Sequence, residues 1–197
     1  MVSPKKCYLD TENKFIIGEQ TLGALVGRQG KKHLWESRSG DAIDTIVIHH
    51  ISAVVDHPDD PFNLAYVLLL FCRFGGSSHY LIDRQGEIYE LVPEREKAWH
   101  CGPSIMPAPD SRRGVNDFSI GIELMGTMQL PYTDRQYHSL AALCRHIETR
   151  RGAMRYVGHE TVAGQRAVSL GFRKIAKTDP GPLFDWNRFE RMRKCLS

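Results

Sequence analysis

Asp-Thr-Ile-Val-Ile-His-His-Ile, positions 44–51, holds five β-branched residues (Thr45, Ile46, Val47, Ile48 and Ile51) and two histidines near its end. β-Branched side chains fit a pleated, packed surface, and an apolar run this short reads as a buried central strand. The next signal is Asp60 as a helix cap, with Pro61 at the first helical position of an apolar run over 62–74. Gly75 and Gly76 close that run, and its apolar character all round predicts a well-buried helix. Residues 78–83 and 87–92 are β-rich around Arg84-Gln85-Gly86, the pattern of a hairpin.

Residues 119–124 (SIGIEL) predict a further strand. Residues 133–151 form the clearest helix: Thr133 and Gln136 make a capping box, and Tyr137, Leu140, Ala141, Cys144 and Ile147 lie on one apolar stripe. Gly152 stands where a C-terminal cap belongs. A short last helix is expected near Asp185, packing through Trp186 and Phe189. Strands interleaved with helices make this an α/β chain, with a mixed central β-sheet flanked by helices. The folding unit runs from Ile43 (43–197), which leaves 1–42 as an unassigned N-terminal extension.

At 197 residues the chain suffices for one domain with a real core. Its 42% hydrophobic and 25% charged residues are ordinary for a soluble globular protein. A net charge of +3 falls short of the basic stripe of a nucleic-acid binder and suits an anionic substrate. No stretch is long and apolar enough for membrane insertion. Lys5 and Lys6 are followed by no continuous apolar segment, so no secretory signal is read. The five cysteines, odd in number and without a close pair, fit a reducing compartment and a cytoplasmic location. The oligomeric state is left open.

Of nine histidines, His49 and His159 have the most suggestive settings. His49 closes the apolar strand, where a side chain is held rigidly. His159 follows Tyr156-Val157-Gly158, another short apolar run. Further on, Lys177-Thr178-Asp179-Pro180-Gly181-Pro182 is a stiff segment that would hold a carboxylate at a fixed angle. Two histidines and one carboxylate, with a fourth position open to water, form a catalytic zinc arrangement. No H-E-x-x-H motif is present, and any one of these histidines alone reads better as satisfying a local hydrogen bond.

The strings IVIHH (46–50), SSHYLIDRQGEIYELVPEREKAWHCG (77–102), NDFSIGIELMG (116–126), VGHE (157–160) and KTDPGPLFDW (177–186) resemble the N-acetylmuramoyl-L-alanine amidase family, AmpD-like branch. The resemblance covers roughly 43–190 in unbroken order. It implies a zinc ion (Zn2+) in a surface groove and hydrolysis of the amide between N-acetylmuramic acid, in the 1,6-anhydro form, and L-alanine of the stem peptide. Soluble muropeptides would be the ligands. Carried over position by position, His49, His159 and Asp179 match the metal ligands, Glu123 the catalytic acid, and Lys177 the basic residue beside the metal. His50, Trp99, His100, Asn116, Arg112 and Arg113 are implied against substrate. Ser78, where phage amidases and recognition proteins carry tyrosine, places the chain in the AmpD-like branch.

The connection over 160–176 is markedly longer than in AmpD-like sequences. Tethered by His159 and Lys177, it is expected at the groove rim, with Arg166 and Arg173 meeting peptide carboxylates. His79 and Cys72 read as core, and His33, His57, His138 and His146 as surface. One rival is a non-catalytic peptidoglycan binder, which would lack a metal ligand; a lytic amidase on polymeric peptidoglycan is another. A third is a cysteine hydrolase using Cys101 and His100, disfavoured because neighbours on an extended chain point to opposite sides.

Overall fold

The computed structural model describes residues 2–8, 15–17, 20–22, 34–38, 40 and 42–195. In chain order the elements are β1 (Lys5–Lys6), β2 (Phe15–Ile17), β3 (Gln20–Leu22), β4 (Trp35–Ser37), β5 (Thr45–Ile51), α1 (Leu64–Phe74), β6 (Tyr80–Ile82) and β7 (Ile88–Glu90). Then follow β8 (Glu96–Ala98), a 3₁₀ turn (Val115–Phe118), β9 (Ser119–Met125), α2 (Asp134–Arg151), β10 (Arg155–Gly158), α3 (His159–Ala163), α4 (Gln165–Ser169) and α5 (Trp186–Cys195). One six-stranded sheet, ordered β1-β7-β6-β9-β5-β10, carries the architecture. It is mixed: β6 and β7 pair antiparallel, whereas β6-β9, β9-β5 and β5-β10 pair parallel.

The central strands are covered on both faces, so β9 is buried at every position rather than alternately. Ile46, Ile48, Ile120, Ile122 and Leu124 point to one side, where they meet Tyr137, Leu140, Cys144 and Ile147 of α2 and Phe189 of α5. Val47 points to the other side, onto Cys101, Met106, Phe118 and Val162. Val67, Leu68 and Phe71 of α1 cover Leu81 and Met125 on a separate patch.

The capping box is present in full. Thr133 Oγ1 accepts from the Gln136 amide (3.1 Å), and the Gln136 side chain accepts from the Thr133 amide (3.0 Å). The hairpin turns where Asp83 accepts from the amides of Gln85 (2.8 Å) and Glu87 (2.9 Å). Helix α1 starts later than expected. Asn63 is its cap, accepting from the Ala65 amide at 3.0 Å, while Asp60 receives the Asn63 side-chain amide at 2.9 Å. Asp60 therefore braces the cap instead of being it, and Pro61 stays outside the helix. Nor is α1 buried all round: Phe74 is 68% exposed, and Leu70 lines an open cavity.

Pieces ahead of Ile43 join the fold: β1 extends the main sheet, and β4 pairs with β8. The Arg38 guanidinium reaches the carbonyls of Glu94, Asn116, Asp117 and Ser119 at 2.8–3.1 Å, beside buried His79. His79 and Cys72 are buried, His138 is exposed, and His57 and His146 are half-buried; His33 lies outside the described residues. All five cysteines are free. No helix among the described residues is long and apolar enough to cross a membrane.

Candidate active site

Parallel strands present their carboxyl ends together, and the crevice beyond them is where ligands bind in open α/β sheets. Here the register does the positioning. His49 on β5 stands opposite Glu123 on β9, so both side chains leave the same face. On the other flank Gly158 pairs with Ile48, and His159, the next residue, comes level with His49. Asp179 arrives from the Pro180 segment. Its carbonyl accepts from the Glu160 amide (2.8 Å), and the Tyr132 hydroxyl donates to the Pro180 carbonyl (2.8 Å). A cavity of about 420 Å³ opens over these groups, walled by Leu70, Phe74, Trp99 and Lys177.

The hydrogen bonds fix the histidine protons. The Ser119 hydroxyl donates to the Val115 carbonyl (2.6 Å), so its oxygen accepts from His100 Nε2 at 3.2 Å. Burial and the neighbouring histidines hold His100 neutral, well below the usual imidazole range, so its Nδ1 bears a lone pair. That lone pair accepts from His49 Nε2 (3.0 Å), which leaves His49 Nδ1 bare. Burial likewise lowers His49, to about 4. His159 donates through Nε2 to the Cys101 carbonyl (3.2 Å), which turns its Nδ1 toward Asp179.

Both Nδ1 atoms face Asp179 Oδ2, at 3.2 Å from His49 and 3.1 Å from His159. The three ligand atoms lie within 4.8 Å of one another. Two imidazole nitrogens with one carboxylate oxygen at this spacing suit a divalent transition metal. Beside it, Glu123 is buried, and its Oε2 has no hydrogen-bond partner. Burial, then the Asp179 charge, push its carboxyl well above the usual range, with Lys177 opposing. The donor set fits a metal ion, and the orphaned carboxylate beside it is free for chemistry.

His100, expected against substrate, lines the cavity and also accepts from His49. Its ring packs on Gly121, where a Cβ would stand 2.6 Å away. Trp99 and His50 do line the cavity, and His50 Nδ1 donates to the Pro180 carbonyl at 3.2 Å. Asn116, Arg112 and Arg113 do not line it. Asn116 accepts from the Cys101 amide (2.9 Å) and so holds the His100–Cys101 loop. Arg112 pairs with Asp44 and Asp110, both at 2.8 Å, and Arg113 lies over the Phe172 ring.

Cys101 and His100 do meet, contrary to expectation: Sγ stands 3.2 Å from His100 Nδ1. The chain bends here and Gly102 has φ 59°, so the alternation of an extended strand does not apply. Burial, with the charges of Asp179 and Glu123, raises the Cys101 thiol well above the ordinary range, which disfavours the thiolate that a nucleophilic cysteine needs. The apolar wall of Leu70 and Phe74 went unanticipated; its signal was an α1 run more apolar than one buried face requires.

Residues 39–182 match the N-acetylmuramoyl-L-alanine amidase family. The chain belongs to this family. Among curated relatives of the amidase, the 1,6-anhydro-N-acetylmuramyl-L-alanine amidase AmpD of Citrobacter freundii is 46% identical over 118 residues, 59% of this chain and 56% of that one. AmpD of Haemophilus influenzae is 34% identical over 165 residues, 75% of this chain and 80% of that one. The chain thus spans little more than half the length of the first of these. A selenomethionine derivative of AmpD superposes with TM-score 0.70 at 30% identity, covering 98% of this chain and 95% of that one. The Escherichia coli amidase AmiD, solved with anhydro-N-acetylmuramic acid-L-Ala-D-γ-Glu-L-Lys, gives 0.59 at 28% identity, covering 80% and 60%.

Proposed function

We propose that this chain is a zinc-dependent hydrolase of the amide joining N-acetylmuramic acid, in its 1,6-anhydro form, to L-alanine of the stem peptide. The observation that carries the reading is the convergence of three ligand atoms beside buried Glu123, whose Oε2 has no partner. His49 Nδ1, His159 Nδ1 and Asp179 Oδ2 would hold the zinc. Bound there, zinc supplies a Lewis acid for the scissile carbonyl and lowers the pKa of water from 15.7 to about 7.

Glu123 takes the proton from the attacking water and hands one to the departing alanine nitrogen, so the C–O bond forms and the C–N bond breaks without releasing an amide anion. Its burial favours the protonated form needed for the second transfer. Lys177 places positive charge against the carbonyl oxygen as that oxygen becomes negative, worth about 3 kcal/mol for one well-aimed donor. Trp99, Leu70 and Phe74 offer apolar walls to the sugar and peptide backbone.

The 1,6-anhydro form and a cytoplasmic setting are supported by the AmpD relatives' names and by five free cysteines. The test is release of stem peptide from a soluble anhydro-muropeptide by zinc-loaded protein, against the same protein stripped by a chelator. Zinc should restore what the chelator removes; full activity in metal-free protein refutes the mechanism. Faster release from intact sacculi would assign a lytic role instead.

A further inference from the structure

A second groove, of about 430 Å³, adjoins the first and shares His50, Lys177 and Asp179 with it. Its outer wall is Arg173 and Ile175, from the long connection after His159. Arg173 Nε donates to the Ile175 carbonyl (2.7 Å), and Nη1 donates to the carbonyls of Cys101 (3.3 Å) and Pro103 (3.5 Å). These bonds fix the plane of the guanidinium. They leave Nη2 without a protein acceptor among the described residues. Neither Arg173 nor Lys177 forms an ion pair with a described carboxylate, and the only acid in the groove, Asp179, faces the histidines.

Arg166 differs. It donates to the Met106 carbonyl and to Ser111 Oγ, and it lines neither groove. The expectation that both arginines serve the rim therefore divides, with Arg173 alone placed to do so.

We propose that this second groove is a carboxylate subsite for the peptide half of the substrate, with Arg173 as its fixed fork. The proposal rests on the amidase reading above. A γ-linked glutamate leaves its α-carboxylate free, and as the second residue it lies about 7 Å beyond the scissile carbonyl, at about 3.5 Å per residue. That reach suits a groove sharing Asp179 with the metal donors. A held guanidinium also loses less freedom on capturing a carboxylate than a mobile one. The free C-terminal carboxylate of a short stem peptide offers the same chemistry from farther away.

The experiment uses zinc-loaded wild type and Arg173→Gln with three anhydro-muropeptides: free acid at both positions, α-amide at the glutamate, and amide at the C-terminus. Wild type should show a KM about 10-fold lower for the α-acid than for the α-amide, as for one partly exposed charged hydrogen bond. Arg173→Gln should raise KM for the α-acid alone, with kcat and bound zinc unchanged. Arg173→Lys should keep part of the preference. Equal wild-type KM for acid and α-amide overturns the proposal, and so does an equal loss on every substrate, which would make Arg173 a brace for Cys101. An effect that follows the C-terminal amide overturns the assignment to glutamate. If wild type cleaves none of them, the amidase reading fails by itself. Calorimetric titration with the same acid and α-amide then decides the subsite, equal affinities ruling it out.

Discussion

Replacing His100 with alanine should weaken zinc binding about 10- to 100-fold, the usual cost of removing the partner that orients a ligating histidine. The geometry accounts for that size. His49 Nε2 loses its acceptor at 3.0 Å in a site where His49 is buried. A buried donor left unsatisfied costs about 1–3 kcal/mol, and a tenfold affinity change is about 1.4 kcal/mol. The ring is then free to turn, and its Nδ1 no longer points unaided at Asp179. Ser119→Ala gives a milder version, because His100 loses the acceptor of its Nε2 proton and gains access to the tautomer that would place a proton on His49 Nδ1. The assay is competition between metal-free protein and a fluorescent chelator, with kcat at saturating zinc as a second readout that should change only a few-fold. Wild-type zinc affinity in both variants would refute the proton assignment from which the donor set is derived.

Glu123→Gln should retain zinc and lose about 10²–10⁴-fold in kcat, the span of general-base contributions; unchanged turnover would make Glu123 structural. Acid should destabilise the fold through His79, which burial and neighbouring Arg38 lower to about 3. The unfolded chain, with an imidazole near 6.5, binds the proton more readily, so this contribution is complete above pH 6.5 and lost as pH falls toward 3. The loss is on the order of 4 kcal/mol, read from denaturant midpoints; an NMR titration of His79 near 6.5 would contradict it. Asn63→Ala should cost about 1 kcal/mol through the α1 cap, lowering Tm by about 2–4 °C, while Asp60→Ala should cost less. The reverse order would restore Asp60 as the cap.

Local chemistry was legible where the signal is local. The capping box at Thr133 and Gln136, the hairpin at Asp83 to Glu87 and the strand that carries His49 all stand where their residue types point. The α1 start was ambiguous because Asp60-Pro61 and Asn63 both fit a helix entrance, and only the Asp60–Asn63 hydrogen bond separates them. Arg112 illustrates a different barrier. Its partner Asp44 lies 68 positions away, and nothing in the pattern around Arg112 distinguishes an arginine held by an aspartate from one waiting for a ligand. The meeting of His100 with His49 across 51 positions depends on Gly121 leaving room for a ring, which resemblance to a family does not disclose.

The strand register has a thermodynamic consequence. His49 and Asp179 are 130 positions apart, and His159 and Asp179 20, so the unfolded chain holds the donors at low mutual concentration. Only the β10-β5 pairing together with the Pro180 segment gathers them, so a divalent cation held there would bind the folded chain in preference to the unfolded one. For zinc in the proposed role, such binding would add about 2.7 kcal/mol of stability at a free concentration one hundred times its Kd. Chelation would then lower Tm as well as turnover.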